Sequence, residues 1–120
     1  MPKYIDGLVI ALPKKNLEKY RVMAKKFAKV ALEAGAVSVC ENIAEDVKVG
    51  KLTSFPQAVK LKQGEVVIFS WIEFKSRASR DKVNKKIMED PRMIAMMDPA
   101  NMIFDGKRMI YGGFEVLMRA

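Results

Sequence analysis

Histidine is absent from this chain of 120 residues, and cysteine occurs once, as Cys40. Without imidazole there is no Ser/His/Asp triad, no His-ligated haem and none of the usual zinc or non-haem iron sites. One thiol cannot close an internal disulfide or build a Cys-only zinc site, and it fits a reducing cytoplasm. In V-S-V-C-E-N-I, Cys40 also lacks the histidine that would activate it as a nucleophile, so it is expected as a small buried side chain. No D-x-D-x-D-G loop is present and the carboxylates are scattered, so neither a metal nor a cofactor is expected. Long apolar runs are missing too. Nothing approaches the roughly eighteen residues of a membrane span, and Asp6 and Gly7 interrupt the opening stretch M-P-K-Y-I-D before a signal-peptide core can form. A soluble, cytoplasmic protein with no membrane partner is expected.

What is present is 50% hydrophobic, enough for one modest core, so residues 1–120 are expected to form a single domain. Tyr4 to Leu12 reads as a strand that stops at Pro13. Leu17, Tyr20, Ala24, Phe27, Ala31 and Ala34 recur at helical spacing, with Asn16 as N-cap and Gly35 as the stop. Alternation resumes from Ala36 to Ala44, with Val37, Val39, Glu41 and Ile43 on one side. A long irregular stretch, Glu45 to Gly64, holds one helical turn that Thr53 can cap. Glu65 to Phe74 is the strongest strand, and Ser76 caps a helix carrying Ala78, Val83, Ile87 and Met88 that ends near Asp90, before Pro91. A short helix with Met93, Ile94, Met96 and Met97 follows. After the turn at Asp105-Gly106, Lys107 to Met118 forms the last strand, interrupted by Gly112-Gly113 at a bulge or at a close backbone approach. The methionines are read as core or interface filler, with Met93, Met96 and Met97 covering an adaptable surface.

The order strand, helix, strand, strand, helix, strand is the α+β ferredoxin-like βαββαβ pattern, an antiparallel sheet with both helices on one face. Both faces of its strands are apolar. In the first, Leu8, Ile10 and Leu12 oppose Ile5 and Val9; in the third, Ile68, Ile72 and Phe74 oppose Val67, Phe69 and Trp71. Two helices cover one face, and the other would leave a larger apolar patch in water than monomers tolerate. Since each such side chain gains about 1.5 to 3 kcal/mol on burial, a two-fold homodimer with the sheets face to face is expected.

The segments K-Y-I-D-G-L-V-I-A-L-P, V-V-I-F-S-W-I-E-F, M-E-D-P-R-M and F-D-G-K-R-M-I-Y-G-G-F-E together resemble the YbaA-like family of small bacterial proteins, a domain-of-unknown-function family. The resemblance spans almost the whole chain. It implies a dimeric α/β-barrel, in which two ferredoxin-like subunits join their sheets, and it brings no established activity. Across that superfamily stand cofactor-free mono-oxygenases, isomerase-like enzymes, haem-degrading proteins and ligand-sensing regulators, an analogy of fold alone.

Polar residues on apolar strands mark the candidate small-molecule pocket in or beside such a barrel: Asp6, Glu41, Glu73 and Arg108, with Trp71 and Tyr111 as flat walls. If Glu41 and Glu73 were buried together, each would raise the other's pKa and one could serve as a general base. Alternatively, these carboxylates pair with Arg108 or Lys107 and fix the dimer register. No catalytic residue is assigned. Arg92, in D-P-R-M, is an anion candidate beside a helix start, although Asp90-Pro91 already explains the motif as a stop and restart. The net charge of +8 places Lys14, Lys15, Lys19, Arg21, Lys25, Lys26 and Lys29 in or before the first helix, and Arg77, Arg80, Lys82, Lys85 and Lys86 in the second. A nucleic-acid-binding or regulatory module using that basic face is the alternative function. It is disfavoured because V-V-I-F-S-W-I-E-F lacks the basic residue and glycine of an RNA-reading strand.

Overall fold

The strands form where apolar side chains alternate. In a computed structural model that describes residues 2–120, β1 (Tyr4–Pro13), β2 (Ser38–Ile43), β3 (Glu65–Phe74) and β4 (Ile110–Glu115) make a 4-stranded antiparallel sheet in the order β2-β3-β1-β4. Helix α1 (Leu17–Ala34) follows β1 through a 3-10 turn at Lys14–Asn16, a single turn α2 (Phe55–Ala58) precedes β3, and α3 (Arg77–Glu89) and α4 (Pro91–Met96) follow it. This is the ferredoxin-like α+β arrangement. Among the described residues no helix is long and apolar enough to cross a membrane, and no group of acidic or sulfur side chains could hold a metal ion.

The core lies between the sheet and the long helices. Phe74 and Ile72 pack with Val30, Ala31, Val83, Ile87 and Met93, while Ile10, Leu12, Ile68 and Tyr20 form a second cluster toward the other end. The even-numbered residues of β1 therefore face the helices, and Ile5, Gly7, Val9 and Ala11 face away, as a period of two requires. Asp6 belongs to the helix side. Arg80 Nη1 donates to its Oδ1 at 2.9 Å and Asn84 Nδ2 to its Oδ2 at 3.2 Å, tying α3 to β1. Arg80 thus leaves the solvated basic face expected of it and also stacks over the Tyr4 ring, 4.9 Å from the centroid.

Helix ends follow local chemistry. Gly35 adopts φ +120°, outside the reach of ordinary side chains, and its N–H closes α1 on the carbonyls of Ala31 and Leu32. Ser76 caps α3 by accepting from Ser79 N, and Asp90 caps α4 by accepting from Arg92 N. Two expected caps shift: Ser54, not Thr53, caps α2, and Asn16 precedes α1 but sends its amide to the Ile103 carbonyl at 2.7 Å. β2 begins two residues later than expected. β4 begins only at Ile110, because Asp105 caps a 3-10 turn over Gly106–Arg108. Met93 is buried core rather than adaptable surface, Ala78 and Met88 are exposed, and Cys40 is half-buried.

No bulge occurs at Gly112-Gly113; β1 and β4 pair without a break from Tyr4↔Glu115 to Val9↔Ile110. The glycine is needed for a side chain instead of a backbone. A Cβ on Gly113 would lie 2.3 Å from Tyr4 Oη and 2.8 Å from its ring.

Candidate functional site

The sheet face turned away from α1 and α3 is only partly clothed. Val59, brought over by α2, buries Ala11 and Val67 together with Val9, Ala44 and Leu61, so the irregular stretch seals one end of that face. Beyond it lies an apolar groove of about 660 Å³, floored by Ile5, Val9, Phe69, Trp71, Ile110 and Phe114. Phe69 packs edge-on to Trp71 at 5.6 Å and against Phe55 at 5.8 Å, making an aromatic row. Phe114 is 62% exposed. At one end sits Glu73, which accepts from Ser38 Oγ at 2.8 Å and from Arg119 Nη2 at 3.2 Å. Arg119 also reaches the Pro2 carbonyl, and Val116 N donates to the Lys3 carbonyl, so the C-terminal segment is laced to the start of β1.

Three of the six pocket candidates border this groove: Trp71 and Glu73 directly, and Tyr111 from the free edge of β4. The other three do not. Asp6 is engaged with α3, as above. Arg108 lies at the opposite end of the sheet, where it clamps Glu65 through two bonds of 2.8 and 2.6 Å and bonds Asp105 at 3.0 Å. Its guanidinium holds both carboxyls below their ordinary range. Arg108 consequently pairs with neither Glu41 nor Glu73. Glu41 and Glu73 are not buried together either: Glu41 pairs across from Ser70 on the helix side, and Glu73 pairs across from Ser38 on the open side. That parity puts the two carboxylates on opposite faces of the sheet.

Glu41 has a different companion. Tyr20 is buried in α1 at 5% exposure, and its hydroxyl donates to Glu41 Oε2 at 2.7 Å. The two meet in a groove of about 330 Å³ between α1 and the edge strand β2. Its walls are Leu17, Ala24, Val39, Ile43 and Ile68, with Arg21 and Lys25 at the rim. Glu41 as a residue is open to solvent, yet enough protein surrounds its carboxylate for desolvation to raise the pKa above the usual range, the Tyr20 bond pulling the other way. Burial, and then the Glu41 charge, pushes the Tyr20 hydroxyl upward as well, so it stays a donor. Tyr20 was legible in the sequence only as a core position of an amphipathic helix, because its partner lies 21 residues away on another element.

Arg92 is committed to neighbours. It bonds Asp90 through Nε and Nη2 at 3.0 and 2.8 Å and Glu33 through Nη2 at 2.8 Å, lowering the pKa of both carboxyls.

Comparison with known proteins places these features in a wider set. The family model described as "Protein of unknown function (DUF1428)" matches residues 3–106. The chain is 49% identical over 116 residues to the proteins called "Uncharacterized protein YbaA" of Escherichia coli strain K12 and of Shigella flexneri, with 97% of each chain covered. The crystal structure of a dimeric ferredoxin-like protein from an uncultured marine organism is similar over 100% of both chains, with a TM-score of 0.64 and 16% identity, a likeness of fold.

Proposed function

This chain belongs to the DUF1428 family, and from that premise we propose that it works as a homodimer, joined through the open faces of its two sheets, that holds a small organic molecule in the Tyr20–Glu41 groove of each subunit. The dimer is supported by the uncovered row of Ile5, Phe69, Trp71, Ile110 and Phe114, and by the dimeric state of the ferredoxin-like relative. Packed sheets lie about 10 Å apart, which leaves room for interdigitating side chains and little else. A partner's side chains therefore fill the larger groove, and Glu73, Ser38 and Arg119 at its end act as a polar register mark for the pairing.

The groove beside α1 stays outside that contact. What carries the ligand reading is a single carboxylate, partly desolvated and oriented by a tyrosine, in a cleft of ligand size whose walls are mainly apolar, with Arg21, Lys25 and Asn42 beside them. Its occupant is a compact, mostly apolar molecule that presents a hydrogen-bond donor or an acidic C–H to Glu41. Such a site supports chemistry without a cofactor: in a β,γ-unsaturated carbonyl compound Glu41 would take a proton from the α-carbon and return it at the γ-carbon as the double bond moves from β,γ to α,β, an isomerisation balanced within the ligand. Native mass spectrometry of protein purified from its host tests both parts. A dimer mass carrying one or two retained adducts is expected, with the adducts lost in Glu41→Gln and the dimer kept. A monomer, or adducts indifferent to Glu41→Gln, would overturn the corresponding part.

A further inference from the structure

The opposite flank of α1 faces α4 across a second cleft, of about 590 Å³. Lys19, Lys26 and Lys29 line it from α1, and Arg92 from the first turn of α4. No carboxylate lines this cleft, and among the described residues none of the three lysines is engaged in an ion pair. Lys26 and Lys29 are neighbours one turn apart. Arg92 is already immobilised by Asp90 and Glu33, so little side-chain entropy is lost when it meets a ligand, and its Nη1 has no protein partner among the described residues. The two carboxylates offset its charge, which leaves the lysines to supply the net positive field.

The cleft is not polar throughout. Val22 and Met23 lie on α1 between Lys19 and Lys26, and Met96 faces them from α4. Lys26, Lys29 and Arg92 thus gather at one end, and the apolar surface separates them from Lys19. None of the basic residues of α3 lines this cleft. A nucleic-acid backbone needs a continuous track of cations and gains little from half-buried methionines such as Met23 and Met96.

We propose that this cleft binds a small organic phosphate, a phosphomonoester whose phosphate sits among Lys26, Lys29 and Arg92 and whose apolar body lies on Val22, Met23 and Met96. The proposal is independent of the Tyr20–Glu41 groove. Calorimetric titration of the full chain with hexyl phosphate, inorganic phosphate, hexanol and a short oligothymidylate tests it. Hexyl phosphate is expected to bind at least about tenfold more tightly than inorganic phosphate, because its hydrocarbon is buried, and hexanol not to bind measurably to Glu41→Gln, in which the other groove has lost its acceptor. Replacing both Lys26→Ala and Lys29→Ala should weaken hexyl phosphate by about tenfold or more. Lys82→Ala with Lys85→Ala on α3, and separately Glu41→Gln, should leave it unchanged. Equal affinity for the two phosphates, binding of hexanol to Glu41→Gln as strong as that of its phosphate, indifference to the Lys26 and Lys29 changes, or an equal loss from the α3 pair would overturn it. So would tighter binding of the oligothymidylate, which would assign the face to single-stranded nucleic acid.

Discussion

The hydroxyl of Tyr20 on α1 donates a 2.7 Å hydrogen bond to Glu41 on β2, so the carboxylate is oriented by a helix from a different layer of the fold. That bond is the influence that lowers the pKa of Glu41, while desolvation raises it. Tyr20→Phe keeps the ring in its pocket and removes the donor. The Glu41 carboxyl should then titrate at higher pH than in the parent, as read by carbon-detected NMR of the side chain. An unchanged or lower value would mean that the bond does not persist in solution.

Stability should record the same carboxylate. Its folded pKa is raised, so folding favours the protonated form; that contribution is complete below the unfolded carboxylate pKa and is lost as pH rises through the folded value. Glu41→Gln stays neutral and does not lose it. In urea unfolding from about pH 4 to about pH 8, the variant should gain on the parent as pH rises through that window and level off above it. A difference that does not vary with pH would contradict the desolvation.

Phe114 is well exposed in the single subunit, so charging it costs the lone fold little. Within a pair of packed sheets the same change buries a carboxylate in apolar surroundings and forfeits about 1.5 to 3 kcal/mol of burial. Phe114→Asp should raise the dimer dissociation constant by about a hundredfold or more while the circular dichroism spectrum is preserved. Sedimentation velocity across a dilution series reads this directly, and identical profiles for variant and parent would remove Phe114 from the contact.

Gly113→Ala should cost about 1 to 3 kcal/mol, since its new Cβ meets the Tyr4 ring and the edge pairing or the Arg80 stack must give way. Because the hydroxyl oxygen is the nearest atom, Tyr4→Phe in the same background should relieve part of that cost. A double-mutant cycle in denaturant measures the coupling, and strict additivity would show that the two side chains do not meet.

Elements set by neighbouring residues were readable in the sequence. β3 runs from Glu65 to Phe74 as its apolar period predicts, and α1 stops at Gly35, because strand alternation and a left-handed cap are properties of a few consecutive residues. Relations across the chain were not. That Glu41 stands with Tyr20 and apart from Glu73 depends on how β2 registers on β3, and a register error of one residue reverses every side chain. The partners of Arg80, Arg108 and Arg119 lie 74, 43 and 46 residues away, at Asp6, Glu65 and Glu73; charge patterning makes Arg80 a surface cation, strand polarity makes Arg108 a pocket residue, and nothing local singles out Arg119. The late start of β4 came from Asp105, whose side chain holds Lys107 N in a 3-10 turn where strand had been expected.

Val59 and its neighbours occupy the end of the open face near Ala11 and Val67, and that has a geometric outcome for any symmetric pairing. In the proposed face-to-face dimer a twin would seat on the half around Trp71 and Phe114, so the two-fold axis, lying between the two sheets, would run nearer that half than the sheet's centre. The two copies would then sit slipped along their strands, each one's α2 standing as a buttress beside the other rather than beneath it.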